Sequence, residues 1–147
     1  MARNLTVAAA QSGPIQKADS REDVVSRLCV MLEEASKAGV NFVVFTELAL
    51  TTFFPRYYAE KTADMDIWFE KEMPNAATTP LFELAKKRRI GFYLGYAELT
   101  QTGEHFNSSI IVDQQGGIFG KYRKIHLPGH TEFDPDRAFQ HLEKRYF

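Results

Sequence analysis

The stretch that decides the fold runs from residue 5 to residue 45 and is bounded by two short apolar runs, residues 5–10 (LTVAAA) and residues 40–45 (VNFVVF). Runs of this length that are apolar at almost every position are typical of strands buried on both faces. Between them, residues 20–38 repeat apolar side chains at helical spacing, and Gly39 ends that helix. A strand, a helix and a strand in this order predict a βαβ unit with parallel strands and a right-handed crossover.

The rest of the chain continues the same α/β pattern. A capping box starting at Asp19 should open the first helix, and Thr79 followed by Pro80 should open a second. The predicted helices cover residues 20–38, 64–73 and 79–89, and the later strands cover residues 90–99, 106–113 and 118–125. We therefore expect one α/β domain in which helices 20–38 and 79–89 pack against one face of a mixed sheet.

Composition excludes several classes of partner. The 147 residues carry 18 Lys and Arg against 19 Asp and Glu, a net charge of −1. Because no basic or acidic block breaks this balance, we expect neither nucleic acid nor a membrane surface as partner. No apolar stretch approaches the roughly 20 residues of a membrane span. A single cysteine and a start unlike a secretory signal favour a reducing, cytoplasmic location.

Two charged residues stand at positions suited to chemistry. Glu47 follows a buried parallel strand, where open α/β sheets form their ligand crevice, and desolvation by neighbouring apolar side chains should raise its pKa. Lys124 lies at the end of a strand that alternates sides. From the residues alone, the structural alternatives stay open: a carboxylate that caps a loop for Glu47, and a solvated basic strand edge for Lys124.

Other reactive residues carry weaker hypotheses. Cys29 lies within the first apolar helix, where a cysteine usually fills space in the core. His126 and His130 are four residues apart and could bind a metal if they were helical, but Pro128 lies between them. We predict no metal. The sequence also lacks a glycine-rich phosphate loop, a Gly-x-Ser-x-Gly elbow and a Cys-x-x-Cys pair, so no cofactor is expected.

Four strings of the sequence resemble one family. They are residues 41–56 (NFVVFTELALTTFFPR), 90–99 (IGFYLGYAEL), 120–130 (GKYRKIHLPGH) and 139–147 (FQHLEKRYF). The chain resembles the nitrilase-type carbon–nitrogen hydrolases, and within them the N-carbamoyl-D-amino-acid amidohydrolases, or D-carbamoylases. This resemblance implies the N-terminal half of a four-layer αββα sandwich, with residues 1–147 forming a partial domain that lacks the C-terminal half.

The resemblance also implies roles for individual residues. Glu47 matches the general base and acid, Lys124 the lysine that stabilises the oxyanion, and Glu143 a second glutamate that supports this lysine. His126 and His141 resemble substrate-pocket histidines. No residue matches the family's cysteine nucleophile.

The implied reaction is hydrolysis of an N-carbamoyl-D-amino acid to a D-amino acid, carbon dioxide and ammonia, with an N-carbamoyl amino acid as the small-molecule partner. Because the nucleophile has no match, we expect the chain alone to be inactive. The alternative is a non-catalytic binding or interaction module derived from the family. Thr46 also departs from the family, which usually has proline before the base.

Half a sandwich should leave one face of its sheet open. The strands are apolar on both sides, so we expect a homo-oligomer or association through that face. Val43 and Phe92 are the residues predicted to lie there.

Overall fold

The computed structural model of the chain describes residues 4–147, which form a five-stranded mixed sheet with helices packed on one face. The helices and strands are β1 (Val7–Ala10), α1 (Arg21–Lys37), β2 (Phe42–Phe45), α2 (Thr79–Arg88), β3 (Gly91–Leu99), β4 (His105–Val112), β5 (Ile118–Arg123) and α3 (Glu143–Tyr146). In these described residues, no helix is both long and apolar enough to cross a membrane.

The strands lie in the order β1-β2-β3-β4-β5. Strands β1, β2 and β3 are parallel, while β4 and β5 each run antiparallel to the strand before them. The predicted βαβ unit and the α/β fold class are therefore confirmed. Because β2 ends at Phe45, Glu47 lies two residues beyond the C-terminal end of this parallel strand, at the edge of the sheet.

Three predicted boundaries differ from those in the structure. Helix α1 is capped by Ser20, whose hydroxyl accepts a hydrogen bond from the backbone of Asp23 at 3.0 Å, and not by Asp19. Helix α2 likewise has Thr78, one residue before the predicted Thr79, at its N-cap. The helix expected over residues 64–73 is instead a 3₁₀ helix, Thr62–Trp68. It ends there because the backbone of Glu70 pairs with the end of β3.

The main core lies between the sheet and helices α1 and α2. Its completely buried members include Leu28 and Leu32 of α1, Leu81 of α2, and Val43 and Phe92 of the sheet. The prediction that Val43 and Phe92 lie on the open face is therefore wrong. An all-apolar strand gives no sign of which alternate residues face inward, and a shift of one residue exchanges the two faces.

The opposite face of the sheet is covered at one end only. There Phe54, Phe69, Leu142 and Tyr146 pack over Ala97. Elsewhere on this face large apolar side chains are exposed: Val7 is 52% exposed, Val44 37% and Tyr122 56%. We call this region, with Tyr93 and Ile111, the open face.

Candidate active site

The backbone turn that carries Glu47 lies directly over Gly95, on the open face of the sheet. A Cβ atom at position 95 would lie 2.9 Å from Glu47 Cα and 3.0 Å from the Leu48 nitrogen, so only glycine fits beneath this turn. The backbone of Ala49 bonds to the carbonyl of Gly95 at 2.9 Å. Leu48 has a φ of +49°, an uncommon conformation for a residue with a side chain. The turn after β2 is thus held in one shape by strand β3.

Lys124 links two carboxylates from distant parts of the chain. Its Nζ lies 2.6 Å from Glu47 Oε1 and 2.9 Å from Glu143 Oε2. The side chain of Lys124 is 28% exposed and that of Glu143 only 3%. Glu47 and Lys124 therefore lie side by side, and Glu143 joins the same cluster.

Glu143 is held in place by the end of the chain. Its other oxygen, Oε1, lies 3.0 Å from His141 Nε2. The backbone of Leu142 bonds to the carbonyl of Pro55 at 2.8 Å, and the Tyr146 hydroxyl donates to the carbonyl of Tyr57 at 2.8 Å. These contacts fix the short helix α3 against the segment after Glu47. Both oxygens of Glu143 are therefore occupied.

Asn107 of β4 completes the group around Glu47. Its side-chain Nδ2 donates to Glu47 Oε1 at 2.7 Å, and its backbone carbonyl accepts from the backbone of Lys124 at 2.8 Å. Asn107 is only 5% exposed. One buried residue thus contacts both members of the Glu47–Lys124 pair.

The charged states of this cluster follow from its hydrogen bonds. Burial opposes ionisation of Glu47, but the bonds from Lys124 and Asn107 outweigh it, so the pKa of Glu47 lies below its ordinary value. Our expectation of a raised pKa is wrong, because half of the Glu47 side chain is exposed and its two donors come from strand β4 and the end of β5. Burial likewise opposes the charge on Lys124, but Glu47 and Glu143 raise its pKa overall. The pair is ionised at neutral pH.

Glu47 lies between two surface cavities. One has a volume of about 260 Å³ and is lined by Ser12, Thr51, Phe53 and Arg56 among others. The second has a volume of about 250 Å³ and is lined by Tyr93, Asn107, Tyr122 and Lys124 among others. Glu47 lines both cavities.

Three other predicted positions lie in different surroundings. His141 joins the cluster through Glu143 and contacts the Phe53 ring edge-on, with ring centroids 5.5 Å apart. His126 is exposed and makes no hydrogen bond or ion pair with any other residue in 4–147. Cys29 packs against the helix-side core.

The segment carrying His126 and His130 is not helical, so the spacing that would favour a metal is not realised. Across residues 4–147, no group of three His, Cys, Asp or Glu side chains is arranged to hold a metal ion.

Sequence reasoning overlooked Asn107 and Gly95. A signal for Asn107 was present: it begins a polar run, NSS, inside an otherwise apolar strand, and polar side chains in a buried strand need partners. Glu98 in β3 and Arg123 in β5, two further charged residues within strands, were also overlooked. On the helix side of the sheet, Arg123 binds Glu98 with two bonds of 2.8 and 3.0 Å.

The fold and this cluster define a class of protein. The carbon–nitrogen hydrolase family model matches residues 6–147, and the chain belongs to that family. Among characterised relatives, omega-amidase NIT2 of Mus musculus is 30% identical over 133 residues, covering 84% of this chain and 44% of that protein. Glutamine-dependent NAD(+) synthetase of Acinetobacter baylyi is 26% identical over 149 residues, covering 98% of this chain and 25% of that protein.

Solved structures agree with this fold. A carbon-nitrogen hydrolase from Helicobacter pylori superposes with a TM-score of 0.73 at 25% identity, covering 97% of this chain and 44% of that one. An N-terminal amidase gives a TM-score of 0.62 at 27% identity, covering 84% and 28%. The chain spans less than half the length of these relatives. Its fold is that of nitrilase-like carbon–nitrogen hydrolases, as the family resemblance implied.

Proposed function

We propose that Glu47, Lys124 and Glu143 form the acid–base and electrostatic part of a site that hydrolyses a carbon–nitrogen bond in a small amide or carbamoyl compound. The observation that carries this proposal is the position of Lys124 Nζ, 2.6 Å from Glu47 and 2.9 Å from Glu143. Two carboxylates keep the lysine charged, so that it can stabilise an oxyanion. Belonging to the carbon–nitrogen hydrolase family supports this reaction class.

The carboxylates have different roles in this proposal. Glu143 is almost fully buried and both its oxygens are occupied, so it supports Lys124. Glu47 is half exposed, borders both cavities and has an oxygen without a bound donor in residues 4–147. Glu47 is therefore the group that takes a proton from the attacking nucleophile and returns it to the leaving nitrogen.

The nucleophile is a separate matter. Family resemblance implies a cysteine, and the one cysteine in this sequence, Cys29, packs against the core on the helix side of the sheet. Glu47 and Lys124 cannot replace the covalent intermediate that a cysteine forms. We accordingly propose that residues 1–147 alone do not turn over substrate.

N-Carbamoyl-D-amino acids are the proposed substrates, on the strength of the sequence strings that resemble D-carbamoylases. A second candidate is an ω-amide, because relatives of this chain include omega-amidases from several animals. The third is the non-catalytic binding or interaction module. The three make different predictions about what the cavities beside Glu47 bind.

The proposal can be tested with the chain itself. The Glu47 carboxyl and Lys124 Nζ are followed by NMR during titration with N-carbamoyl-D-phenylglycine, with its L enantiomer, and with succinamate as a simple ω-amide. Saturable shifts at both groups with the D-carbamoyl compound alone support the first substrate class, and shifts with succinamate alone support the second. Absence of shifts with all three contradicts the proposed site and leaves the non-catalytic module. Ammonia release by the chain would contradict its proposed inactivity.

A further inference from the structure

Asn107 connects the proposed base to the proposed lysine. Its amide nitrogen donates to Glu47 Oε1 at 2.7 Å, while its carbonyl accepts the backbone N–H of Lys124 at 2.8 Å. It lies in β4, 60 residues from Glu47 in sequence, and is 5% exposed. A buried amide fixed by its strand is a rigid donor, unlike the long flexible side chain of Lys124.

The two oxygens of Glu47 are used unequally. Oε1 accepts both the Asn107 amide and the Lys124 ammonium, at 2.7 and 2.6 Å. Oε2 has no hydrogen-bond donor from residues 4–147. One oxygen of the carboxylate is therefore held by two hydrogen bonds, and the other is free to exchange a proton.

We infer that Asn107 is a positioning residue: with Lys124 it holds Oε1 and so assigns proton transfer to Oε2 of Glu47. This inference rests on the proposed role of Glu47 as the base. Oε2 takes the proton of the attacking nucleophile as the new bond to carbon forms. The same proton then passes to the leaving nitrogen as the carbon–nitrogen bond breaks, and Glu47 returns to its carboxylate form.

Lys124 alone could not impose this arrangement. Its ammonium lies between two carboxylates and could bind either oxygen of Glu47 by rotating its side chain. The Asn107 amide has less freedom, because its side chain is short and buried, its backbone pairs opposite Ala97 of β3 and its carbonyl is bonded to Lys124. The titratable groups acting on Glu47 are Lys124 and His141, so a change at uncharged Asn107 leaves both in place.

The adjacent residue provides a matched control. Ser108 is also buried in β4 and also donates to a carboxylate, Glu98 Oε2, at 2.6 Å. Because alternate residues of a strand face opposite sides, this bond lies on the helix side of the sheet. Ser108→Ala thus removes an equivalent bond without touching Glu47.

The experiment is an NMR titration of the Glu47 carboxyl, assigned with Glu47→Gln, in the wild-type chain and in Asn107→Asp, Asn107→Leu and Ser108→Ala. We expect the Asp variant to raise the pKa of Glu47 by about one unit or more, since it replaces a donor with a like charge. The Leu variant removes the donor and should produce a smaller rise. Ser108→Ala should leave the titration unchanged even where it lowers the urea midpoint.

A purely structural role for Asn107 gives a different result. In that case the Asn107 and Ser108 variants lower the urea midpoint alike and leave the pKa of Glu47 at its wild-type value, which would overturn the inference. If Asn107→Asp does not fold, Asn107→Leu and the milder Asn107→Ser give the same comparison. The titration is done without substrate. Its result therefore does not depend on whether the amides or carbamoyl compounds bind.

Discussion

Gly95 forms the floor under Glu47: a Cβ at position 95 would lie 2.9 Å from Glu47 Cα. The other two contacts of that atom, at 3.0 Å, are also backbone atoms, the Leu48 nitrogen and the Thr46 carbonyl oxygen. Backbone atoms cannot turn aside as a flexible side chain can. The position of the proposed base is therefore tied to the absence of a side chain on the neighbouring strand.

Gly95→Ala should displace the turn that carries Glu47. We expect a loss of about 1 to 3 kcal/mol in the free energy of unfolding, the usual range for overpacking. Gly120→Ala is the control, because its Cβ would meet Ile111 at an ordinary 3.7 Å. Urea unfolding followed by circular dichroism measures both, and the control should change by less than about 0.5 kcal/mol. Equal losses of unfolding free energy in the two variants would show that the turn at Glu47 can move aside for a methyl group, which contradicts this prediction.

Lys124→Met should raise the pKa of Glu47 and destabilise the chain. Glu47 loses an ion pair, and the buried Glu143 is left with His141 as its remaining side-chain partner. We expect a cost of about 1 to 3 kcal/mol, typical of a buried group that loses its partner. Urea unfolding and NMR titration of Glu47 provide the two measurements.

The effect of Lys124→Met can be separated from the loss of any lysine. Lys121→Met removes a lysine bound to Glu98, but Glu98 keeps its two bonds from Arg123, so this variant should leave Glu47 unchanged. Adding Glu143→Gln to Lys124→Met should recover part of the lost stability, since the buried carboxyl that lost its lysine partner is then replaced by an amide. A double variant less stable than either single variant would contradict this account.

The sequence predicted the strands that carry the site better than it predicted the hydrogen bonds and the pKa shift within the site. Apolar runs and helical spacing located the strands, and the rule that ligands bind beyond the carboxyl ends of parallel strands selected Glu47. Which alternate residues of β2 face the helices could not be predicted. Val43 and Val44 are equally apolar, and only packing against α1 and α2 distinguishes them. The sign of the Glu47 pKa shift was also missed. It depends on donors such as Asn107, which no local pattern connects to Glu47.

Ionisation of Glu98 should make the free energy of unfolding depend on pH under acidic conditions. Burial opposes its charge, but bonds from Arg123, Lys121 and Ser108 lower the pKa of Glu98 from 4.5 to about 2. A carboxyl whose pKa is lower in the folded chain stabilises it above the unfolded pKa, and this contribution is lost as pH falls from about 4.5 toward 2. Glu98→Gln should therefore be less stable than wild type at pH 6, and the difference should narrow toward pH 2.5.

Urea midpoints at pH 6, 4 and 2.5 measure this difference. Glu83→Gln changes an exposed carboxyl on α2 and should match wild type at each pH. A gap between wild type and Glu98→Gln that stays constant from pH 6 to pH 2.5 would mean that ionisation of Glu98 contributes nothing to the stability of the chain.

The open face supplies the last prediction. Val44, Val7 and Tyr122 are exposed on one side of the sheet, while neighbouring Val43 is fully buried on the other. We propose that the chain associates with itself through this face, because contiguous exposed apolar surface favours association. Val44→Lys should reduce both sedimentation of oligomers and binding of an apolar dye while leaving the unfolding midpoint near wild type. Val43→Lys places a charge in the core and should instead cost about 3 kcal/mol or more. A wild-type chain that sediments as a monomer and binds no dye would contradict self-association.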